Sequence, residues 1–548
     1  MSAKVQRIID ELPETLTALP VAVKVMVLAA LISIMSPGYA VTQSGKALIQ
    51  QRCMGCHLHV EQDGSQWSRI DYQRKTPEGW LMTISRMETQ RGLVLTGAER
   101  QTLVKYLADT QGLAPEETEA GRFMLERQLN RVEQHDTPLF GEMCARCHSG
   151  ARVALQRRNQ DEWRKLVGFH LGQFPSIEVH AMARDRDWLG IATNTMVPYL
   201  AEKYPLKSEA WERWQQRKPH SLGGDWVIAG KLVGKGEFSA NMKVVATGDD
   251  GYSLSVDGHY ADGTTLSGNG SAIVYTGFEW RASLTLDGIP VKQVLMASGQ
   301  GQRLSGRMYQ ANQEALGAAF SALRNSDKNR ILAVQPAYLK VGQTATLKVV
   351  GAQLADKPDF GPGVKVLKTD RRSANEILVT VKAEKSATTG TRVLNNGSRD
   401  TSAALTIYNA VDGIDVQPAN SIARVGDAGG TIERVKTAYR AVGIDAGVDG
   451  KLGTEDDIRI GELPAIWSVK AFDNIAEHDQ DVKYAGTMDA GSGIFTPSEA
   501  GMNPARKFQT NNAGNLTVVA EVQDGDRTVT GEGHLIVTVQ RFNNPPIR

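Results

Sequence analysis

The chain has 548 residues, which is too long for a single hydrophobic core, so we expect several domains. Apolar residues make up 41% and charged residues 22% of the sequence, as is ordinary for a globular protein. The formal net charge is only +1, which excludes the strong basic bias typical of nucleic-acid-binding proteins.

The first predicted element is an apolar segment near the N-terminus. Residues 21–35 (VAVKVMVLAALISIM) are apolar apart from Lys24, and the small residue Ala40 closes the stretch that follows. This pattern is typical of a signal peptide, so we predict that residues 1–40 are removed after Ala40 on export. The alternative is an N-terminal membrane anchor, but the run is shorter than the ~20 residues that a spanning helix needs.

Two Cys-x-x-Cys-His motifs follow, and they contain all four cysteines of the chain. They consist of Cys53, Cys56 and His57, and of Cys144, Cys147 and His148. In such a motif both thiols form thioethers with a haem and the His binds its iron, so two covalent c-type haems are predicted. A redox-active dithiol or half a zinc site is the alternative for one Cys pair, and the His and the duplication disfavour it.

The segment around these motifs, residues 41–218, is predicted to be helical, because apolar residues recur there at three- and four-residue spacing. It contains an internal repeat. Trp80 precedes Met87 by seven residues, and Trp163 precedes His170 by the same number. We therefore predict two copies of one haem unit, at 41–112 and 113–218.

The repeat also predicts the sixth iron ligands, because a seven-residue spacing places both side chains on one helix face. Met87 is predicted to bind the first haem iron and His170 the second. Met82 remains an alternative to Met87, and the alternatives to His170 are His180, Met182 and Met196. Methionine raises a haem potential relative to a second histidine, so two unequal haems would form an electron relay.

A basic cluster follows the second motif and consists of Arg152, Arg157, Arg158 and Arg164. It could neutralise haem propionates or dock an acidic partner. A solvated helix face is an equally good interpretation.

From about residue 223 the pattern changes to alternating apolar and polar residues separated by Asp-Gly and Thr-Gly turns, which predicts β-hairpins. One helix is predicted from Glu314 to Arg324. After residue 331 short strands recur, which predicts two immunoglobulin-like β-sandwich domains at 331–410 and 411–548. The Asp- and Gly-rich segment 445–457 resembles a calcium loop without its closing Glu, and we interpret it as a solvated turn.

The order of the two haem motifs, the Trp-x6-Met and Trp-x6-His repeat and the long β tail resemble the α subunit of quinohemoprotein amine dehydrogenase over nearly the whole chain. The resemblance implies a dihaem cytochrome c domain, a β-barrel domain at 219–330 and the two immunoglobulin-like domains. It also implies a periplasmic heterotrimer with β and γ subunits that oxidises primary amines to aldehydes and ammonia. In that family cysteine tryptophylquinone lies on the γ subunit, and electrons pass through the haems to a copper protein or cytochrome c.

The cysteine count agrees with this division of labour. Cysteine tryptophylquinone requires a thioether between a cysteine and a modified tryptophan, and haem attachment uses all four cysteines here. We therefore expect no catalytic residue in this chain, no nucleic-acid partner and no membrane span after signal cleavage. Two other functions remain open: a dihaem cytochrome c peroxidase with one open iron position, and a stand-alone dihaem cytochrome with β binding domains.

Overall fold

The computed structural model describes residues 44–62, 65–122, 128, 130–173, 186–218, 220–248, 250–326, 329–356, 358–394 and 403–539. The predicted signal peptide and its cleavage point lie outside these ranges, as do His180 and Met182. Within the described ranges, no helix combines the length and the apolar character that crossing a bilayer requires.

In its described part, the segment from residue 45 to residue 215 is mainly helical, as predicted, with four short strands. Its helices are α1 (Gly45–Arg52), α2 (Pro77–Arg91), α3 (Gly97–Thr110), α4 (Pro115–Thr118), α5 (Pro138–Cys144), α6 (Ala151–Ala154), α7 (Gln160–Gln173), α8 (Trp188–Ile191), α9 (Val197–Lys203) and α10 (Glu209–Gln215). A π-helical turn (Ala192–Met196) joins α8 to α9. Its strands are β1 (His59–Gln62), β2 (Ser65–Trp67), β3 (Gln73–Lys75) and β4 (Gln156–Arg158).

The starts of the longer helices follow from the sequence. Thr96 precedes α3 and accepts a hydrogen bond from the Glu99 N–H, while the Glu99 carboxylate accepts one from the Thr96 N–H. This reciprocal pair satisfies two backbone donors that would otherwise lack partners. Pro77 and Pro138 occupy the first positions of α2 and α5, where a missing N–H costs nothing.

Eight antiparallel strands after this helical domain close into a β-barrel. They are β5 (Gly224–Leu232), β6 (Gly236–Gly248), β7 (Gly251–Tyr260), β8 (Thr265–Tyr275), β9 (Glu279–Leu286), β10 (Ile289–Ala297), β11 (Arg303–Gln310) and β12 (Gln313–Arg324). Each strand pairs with its neighbour in sequence, and β12 pairs with β5. Large aromatic side chains such as Trp226, Phe238 and Trp280 are fully buried in the barrel core, so side chains fill the interior.

The helix predicted from Glu314 to Arg324 is wrong, because these residues belong to β12. Their alanine-rich composition favours a helix locally. The chain nevertheless pairs with β11 on one side and with β5 on the other, where Phe320 lies opposite Gly230. Barrel closure requires this last strand, and the tertiary pairing overrides the local preference.

Two more β domains follow the barrel. The first contains β13 (Arg330–Gln335), β14 (Tyr338–Lys340), β15 (Thr344–Ala352), β16 (Val364–Arg371), β17 (Glu376–Ala383), β18 (Gly390–Val393) and β19 (Ala404–Tyr408). These strands form sheets of order β13-β15-β17-β16 and β14-β19-β18. Val349 from the first sheet and Leu405 from the second are completely buried in one shared core.

The last domain has three sheets and two short helices. Its strands are β20 (Gly413–Gln417), β21 (Asn420–Arg424), β22 (Thr437–Ala438), β23 (Arg440–Asp445), β24 (Ile458–Leu463), β25 (Ile466–Ala471), β26 (Gly486–Met488), β27 (Ile494–Pro497), β28 (Gly514–Asp524) and β29 (Arg527–Thr538). The sheets have orders β20-β23-β24, β21-β29-β28-β25 and β22-β27-β26. The helical elements are α11 (Asn474–His478), α12 (Asp481–Tyr484) and a 3₁₀ turn (Lys507–Gln509).

The Asp- and Gly-rich segment 445–457 is the loop between β23 and β24. Asp456 accepts hydrogen bonds from the N–H groups of Val448 and Asp449, at 2.6 and 3.1 Å. Asp457 accepts one from the N–H of Gly453 at 2.8 Å. These carboxylates therefore shape the turn itself.

The helical domain packs against the barrel through α2 and α3. The Thr276 N–H, between β8 and β9, donates to Asp109 of α3 at 2.7 Å. Arg281 of β9 forms a bidentate pair with Glu78 in the first turn of α2. Tyr275 of β8 joins the apolar core around Trp80. The barrel thus supports the two long helices that follow the first Cys-x-x-Cys-His motif.

Candidate haem sites

The first motif lies in the turn that ends α1. Cys53 is the residue that caps this helix, and the His57 N–H donates back to the Cys53 carbonyl at 3.0 Å. The His57 Nδ1 lies 2.9 Å from the Ser68 carbonyl oxygen. When Nδ1–H donates to a carbonyl, the lone pair is on Nε2, which is the arrangement of a metal-binding histidine.

The second motif has the same local arrangement. Cys144 is the last residue of α5, and the His148 Nδ1 lies 2.9 Å from the Ser149 carbonyl oxygen. Glu133 holds the loop that follows, because its carboxylate accepts hydrogen bonds from the Ser149 hydroxyl and from the Gly150 N–H. Both motifs therefore fix the tautomer of their histidine through a backbone carbonyl.

The four thiols form no disulfide in the structure. Burial raises the pKa of Cys144 to about 12, and burial followed by the neighbouring Cys56 raises the pKa of Cys53. A raised pKa at Cys53 and Cys144 disfavours the thiolate form that redox chemistry and zinc binding need. Among the described residues no group of three or more His, Cys, Asp or Glu side chains is arranged to hold a metal ion.

A cavity of about 550 Å³ opens beside the second motif. Cofactor sites in proteins commonly have volumes of about 300–1,000 Å³. The lining is largely apolar and aromatic, with a few cationic side chains. From the second haem unit it includes Cys144, Cys147, His148, Arg152, Trp163, Phe169, His170, Trp188 and Met196.

His148 and His170 both line this cavity, with ring centroids 6.5 Å apart. Two imidazoles that bind one metal from opposite sides would have centroids roughly 6 Å apart, given metal–nitrogen bonds of about 2 Å. The His170 Nδ1 lies 2.8 Å from the Leu166 carbonyl oxygen, which again leaves Nε2 as the free nitrogen. Burial lowers the pKa of both histidines, so both rings are neutral at pH 7, as metal ligands must be.

The structure also locates the methionine alternatives that lie in its described part. Met196 is buried in the π-helical turn and lines the second cavity. Met82, weighed above as a ligand of the first haem, lines this second cavity too. Met87 lies half-buried on α2, beside the neighbouring core residue Ile84.

Helix α2 separates the two sites, which the sequence alone did not reveal. One of its faces carries Trp80, Ile84 and Met87, and the first two pack in the core that also contacts Cys53. The other face carries Gly79, Met82 and Arg86, and all three line the second cavity together with Lys75. At 100° per residue the centres of these faces lie roughly 140° apart. The first repeat unit therefore supplies one wall of the cavity beside the second motif.

The two units are related by a local two-fold arrangement. β3 and β4 pair as antiparallel strands with Arg74 opposite Arg157, which occupy equivalent positions in the repeat. Farther along, Arg86 of α2 stacks on the Phe169 ring of α7 at 5.2 Å, and these residues are also equivalent. The Gln-Arg pairs that begin β3 and β4 extend the repeat upstream of Trp80 and Trp163. That extension was the signal in the sequence that could have revealed this pairing.

A buried ion-pair triad lies at the centre of this arrangement. Arg74 binds Glu117 through a bidentate pair at 2.8 and 2.9 Å, and Arg157 donates to the same carboxylate at 3.0 Å. Burial raises the pKa of Glu117, but the two arginines outweigh it and bring the pKa down to about 2. The carboxylate is therefore charged at any ordinary pH and joins both haem units.

The basic cluster is not the solvated helix face that the sequence allows. Arg157 and Arg158 are 6% and 5% exposed and lie on strand β4, where Arg158 faces Glu162 at 3.7 Å. Arg164 alone is well exposed and pairs with Asp161. Arg152 lines the second cavity, which agrees with a role towards haem propionates.

One residue of the lining has a buried donor that is available to a cofactor carboxylate. The Trp163 side chain is 1% exposed and lines the cavity, and its indole N–H has no hydrogen-bond partner within the described ranges. The equivalent N–H of Trp80 donates to the Gln111 carbonyl at 2.9 Å. Buried donors normally have an acceptor. A haem carboxylate could serve as that acceptor, just as the thiols could form its thioethers and the imidazoles could bind its iron.

Solved structures show only weak likeness to the chain. A redesigned β barrel, mFAP1, bound to DFHBI is 15% identical, covers 19% of this chain and 94% of its own, and has a TM-score of 0.17. The human Desmocollin-1 ectodomain is 12% identical over 59% of this chain and 76% of its own, with a TM-score of 0.15. No curated protein matches the sequence.

Four family models match successive parts of the chain. "Quinohemoprotein amine dehydrogenase A, alpha subunit, haem binding" matches residues 43–211. The models of alpha subunit domains II, III and IV match residues 219–325, 328–409 and 414–547. All four describe one protein, in the order expected for a single subunit with a haem-binding domain. The chain therefore belongs to the family of quinohemoprotein amine dehydrogenase alpha subunits.

Proposed function

We propose that this chain is the electron-transfer subunit of a periplasmic amine dehydrogenase and holds two covalent c-type haems. Cys53 and Cys56 attach the first haem, and Cys144 and Cys147 attach the second. His57 and Met87 are the proposed ligands of the first iron, and His148 and His170 those of the second. The haems, when bound, accept and release one electron each at iron.

The observation that carries this proposal is the pair of histidines in the second cavity. His148 follows the second cysteine pair directly, and His170 lies across the same cavity with its ring centroid 6.5 Å away. Both are neutral, and both have Nδ1 next to a carbonyl oxygen. If His148 and His170 both bound one iron, no coordination site would remain for peroxide, which favours electron relay over a peroxidase activity.

The remaining residues exclude water and position the ligands. Trp163, Phe169 and Met196 make the cavity wall apolar, which limits the solvent reorganisation that slows electron transfer. Helix α2 places Met87 on the face that packs with the first haem unit. Because that helix also forms a wall of the second site, its residues would contact both haems from opposite sides of the helix.

The amine chemistry belongs to a partner in this proposal. A cysteine tryptophylquinone on a γ subunit would supply electrons, and a copper protein or cytochrome c would accept them. The two β domains after the barrel, which we propose to be immunoglobulin-like, would act as a scaffold for the β and γ subunits. The predicted signal peptide supports the periplasmic location.

The iron ligands can be tested in the full-length holo protein. We expect His170→Ala to convert one haem to a high-spin form and Met87→Leu to do the same to the other, as seen by optical and EPR spectra. The exposed His478 and Met502 provide matched controls, since His478→Ala and Met502→Leu should leave both spectra unchanged. If neither His170→Ala nor Met87→Leu alters a haem spectrum, the ligand assignment is wrong.

A further inference from the structure

We propose that Arg86, a residue of the first haem unit, binds a carboxylate of the second haem and raises that haem's reduction potential. This inference rests on the proposed haem at the second site. It adds a positioning residue that neither the repeat nor the Cys-x-x-Cys-His motif identifies.

Arg86 lines the second cavity, and no described carboxylate forms an ion pair with it. Its guanidinium lies 5.2 Å from the centroid of the Phe169 ring, and its hydrogen bond to the Thr83 hydroxyl is long at 3.4 Å. Burial lowers the pKa of Arg86, and the neighbouring Arg152 lowers it further. The guanidinium of Arg86 is therefore partly removed from water and lies near a second positive charge.

The cavity as a whole has an excess of positive charge. Lys75, Arg86 and Arg152 line it, and Lys75 is only 3% exposed. Glu142 is the acidic residue in the lining, and it pairs with Arg186. A desolvated cation is costly unless an anion accompanies it. The two carboxylates of a haem would supply that negative charge.

Trp163 points to the same ligand chemistry independently. Its side chain lines the cavity, and its buried indole N–H has no acceptor within the described ranges. An ionised carboxylate only accepts hydrogen bonds, so it suits both an indole N–H and a guanidinium.

The position of Arg86 gives the contact a consequence for the relay. Arg86 and Met87 are consecutive residues on different faces of α2. The same turn of this helix therefore carries the proposed counter-ion of the second haem and the proposed ligand of the first iron. A positive charge near a haem favours the reduced iron by simple electrostatics. Removing it should therefore lower the potential of the second haem more than that of the first.

The test is redox potentiometry of the full-length holo protein. The wave at lower potential belongs to the second haem, because two histidines give a lower potential than histidine with methionine. We expect Arg86→Gln to lower the reduced-to-oxidised ratio of this haem about tenfold at fixed potential, which corresponds to ~59 mV. Arg86→Lys should shift it less, because the charge stays.

Two further variants keep the test decisive. Arg91→Gln, an exposed position on the same helix, should leave both waves in place. Trp163→Phe, which removes the indole N–H donor and makes the ring smaller, should lower the second wave alone and covers the case in which Arg86→Gln does not load haem. The proposal is overturned if Arg86→Gln shifts neither redox wave or shifts both equally. If Arg86→Gln does not load haem, it is overturned when Trp163→Phe shifts neither wave. A wild-type protein with fewer than two covalent haems would instead contradict the proposed function.

Discussion

Glu117 is the residue on which the geometry of both haem units depends. Its side chain is 6% exposed and receives hydrogen bonds from Arg74 of β3 and Arg157 of β4. These arginines are themselves buried, so each needs the carboxylate as its partner. The triad therefore fixes the two strands that precede α2 and α7, the helices that carry the proposed sixth ligands.

Replacing Glu117 tests this role. Glu117→Gln keeps the size of the side chain but leaves two buried guanidinium groups without a negative charge. We expect the free energy of unfolding to fall by about 3–5 kcal/mol, measured by urea denaturation of the holo protein. Glu119→Gln, at an exposed position two residues away, should change it by less than about 0.5 kcal/mol. Equal stability of the two variants would show that the triad does not hold the units together.

At this scale the sequence supports a prediction of attachment residues more readily than of their charged neighbours. The Cys-x-x-Cys-His spacing predicts roles for Cys144, Cys147 and His148, because the chemistry of haem attachment fixes the spacing. The role of Arg86 depends on which face of α2 meets the other unit, and that is decided by contacts distant in sequence. Arg157 follows the same rule, since its partner Glu117 lies forty residues before it.

Among the elements, α1 and α3 set the position of the first motif. Gly45, at the start of α1, packs directly on α3, and a Cβ at this position would lie 2.1 Å from the Tyr106 Cβ. Backbone approach of this kind is possible only for glycine. Because Cys53 caps the other end of α1, a shift of this helix would move the first thiol.

A matched pair of glycine variants tests this packing. Gly45→Ala must push α1 away from Tyr106 and should destabilise the domain by about 1–3 kcal/mol. Gly97→Ala, in the exposed first turn of α3, meets nothing within 4 Å and should be neutral or stabilising by up to about 1 kcal/mol. The free energies of unfolding of both variants can be measured by urea denaturation monitored by haem absorbance. A Gly45→Ala protein as stable as Gly97→Ala would contradict the close packing.

Elements were predictable where local pattern and tertiary environment agree. The β7 sequence YSLSV alternates and forms a strand with every second residue buried. β12 shows the opposite case, because its alanines favour a helix while the open edges of β11 and β5 need a strand. Strand order within the last two domains depends on pairings between distant segments, which period and turn signals do not specify.

In the whole molecule, the helical domain and the barrel meet around a buried carboxyl. Glu279 of β9 is 1% exposed, and one of its oxygens accepts a hydrogen bond from Arg281 at 2.8 Å. Its other oxygen has no partner among the described residues. Burial raises the pKa of Glu279 to about 7, against the attraction of Arg281. Arg281 also binds Glu78 of α2, so this carboxyl is part of the contact between the two domains.

This raised pKa predicts a pH dependence with a definite sign. The folded state binds the Glu279 proton more tightly than the unfolded chain, whose carboxyl pKa is about 4.5. Its contribution to stability is therefore complete below pH 4.5 and is lost as the pH rises through about 7. We expect Glu279→Gln to remove this loss of stability. The midpoint temperature of unfolding, measured by calorimetry, should then vary less between pH 5 and pH 8 than in the wild type. Glu521→Gln, on an exposed strand position, should keep the wild-type slope, and an unchanged slope in Glu279→Gln would exclude this carboxyl as its source.

The central claim is that this chain relays electrons which another subunit takes from an amine. It is tested most directly by adding a primary amine, without oxygen, to the purified holo chain alone and to the native complex, and following haem reduction by absorbance. We predict that both haems are reduced in the complex with its quinone-bearing partner and that neither is reduced in the chain alone. Amine-dependent haem reduction in the isolated chain, or none in the intact complex, would contradict the account.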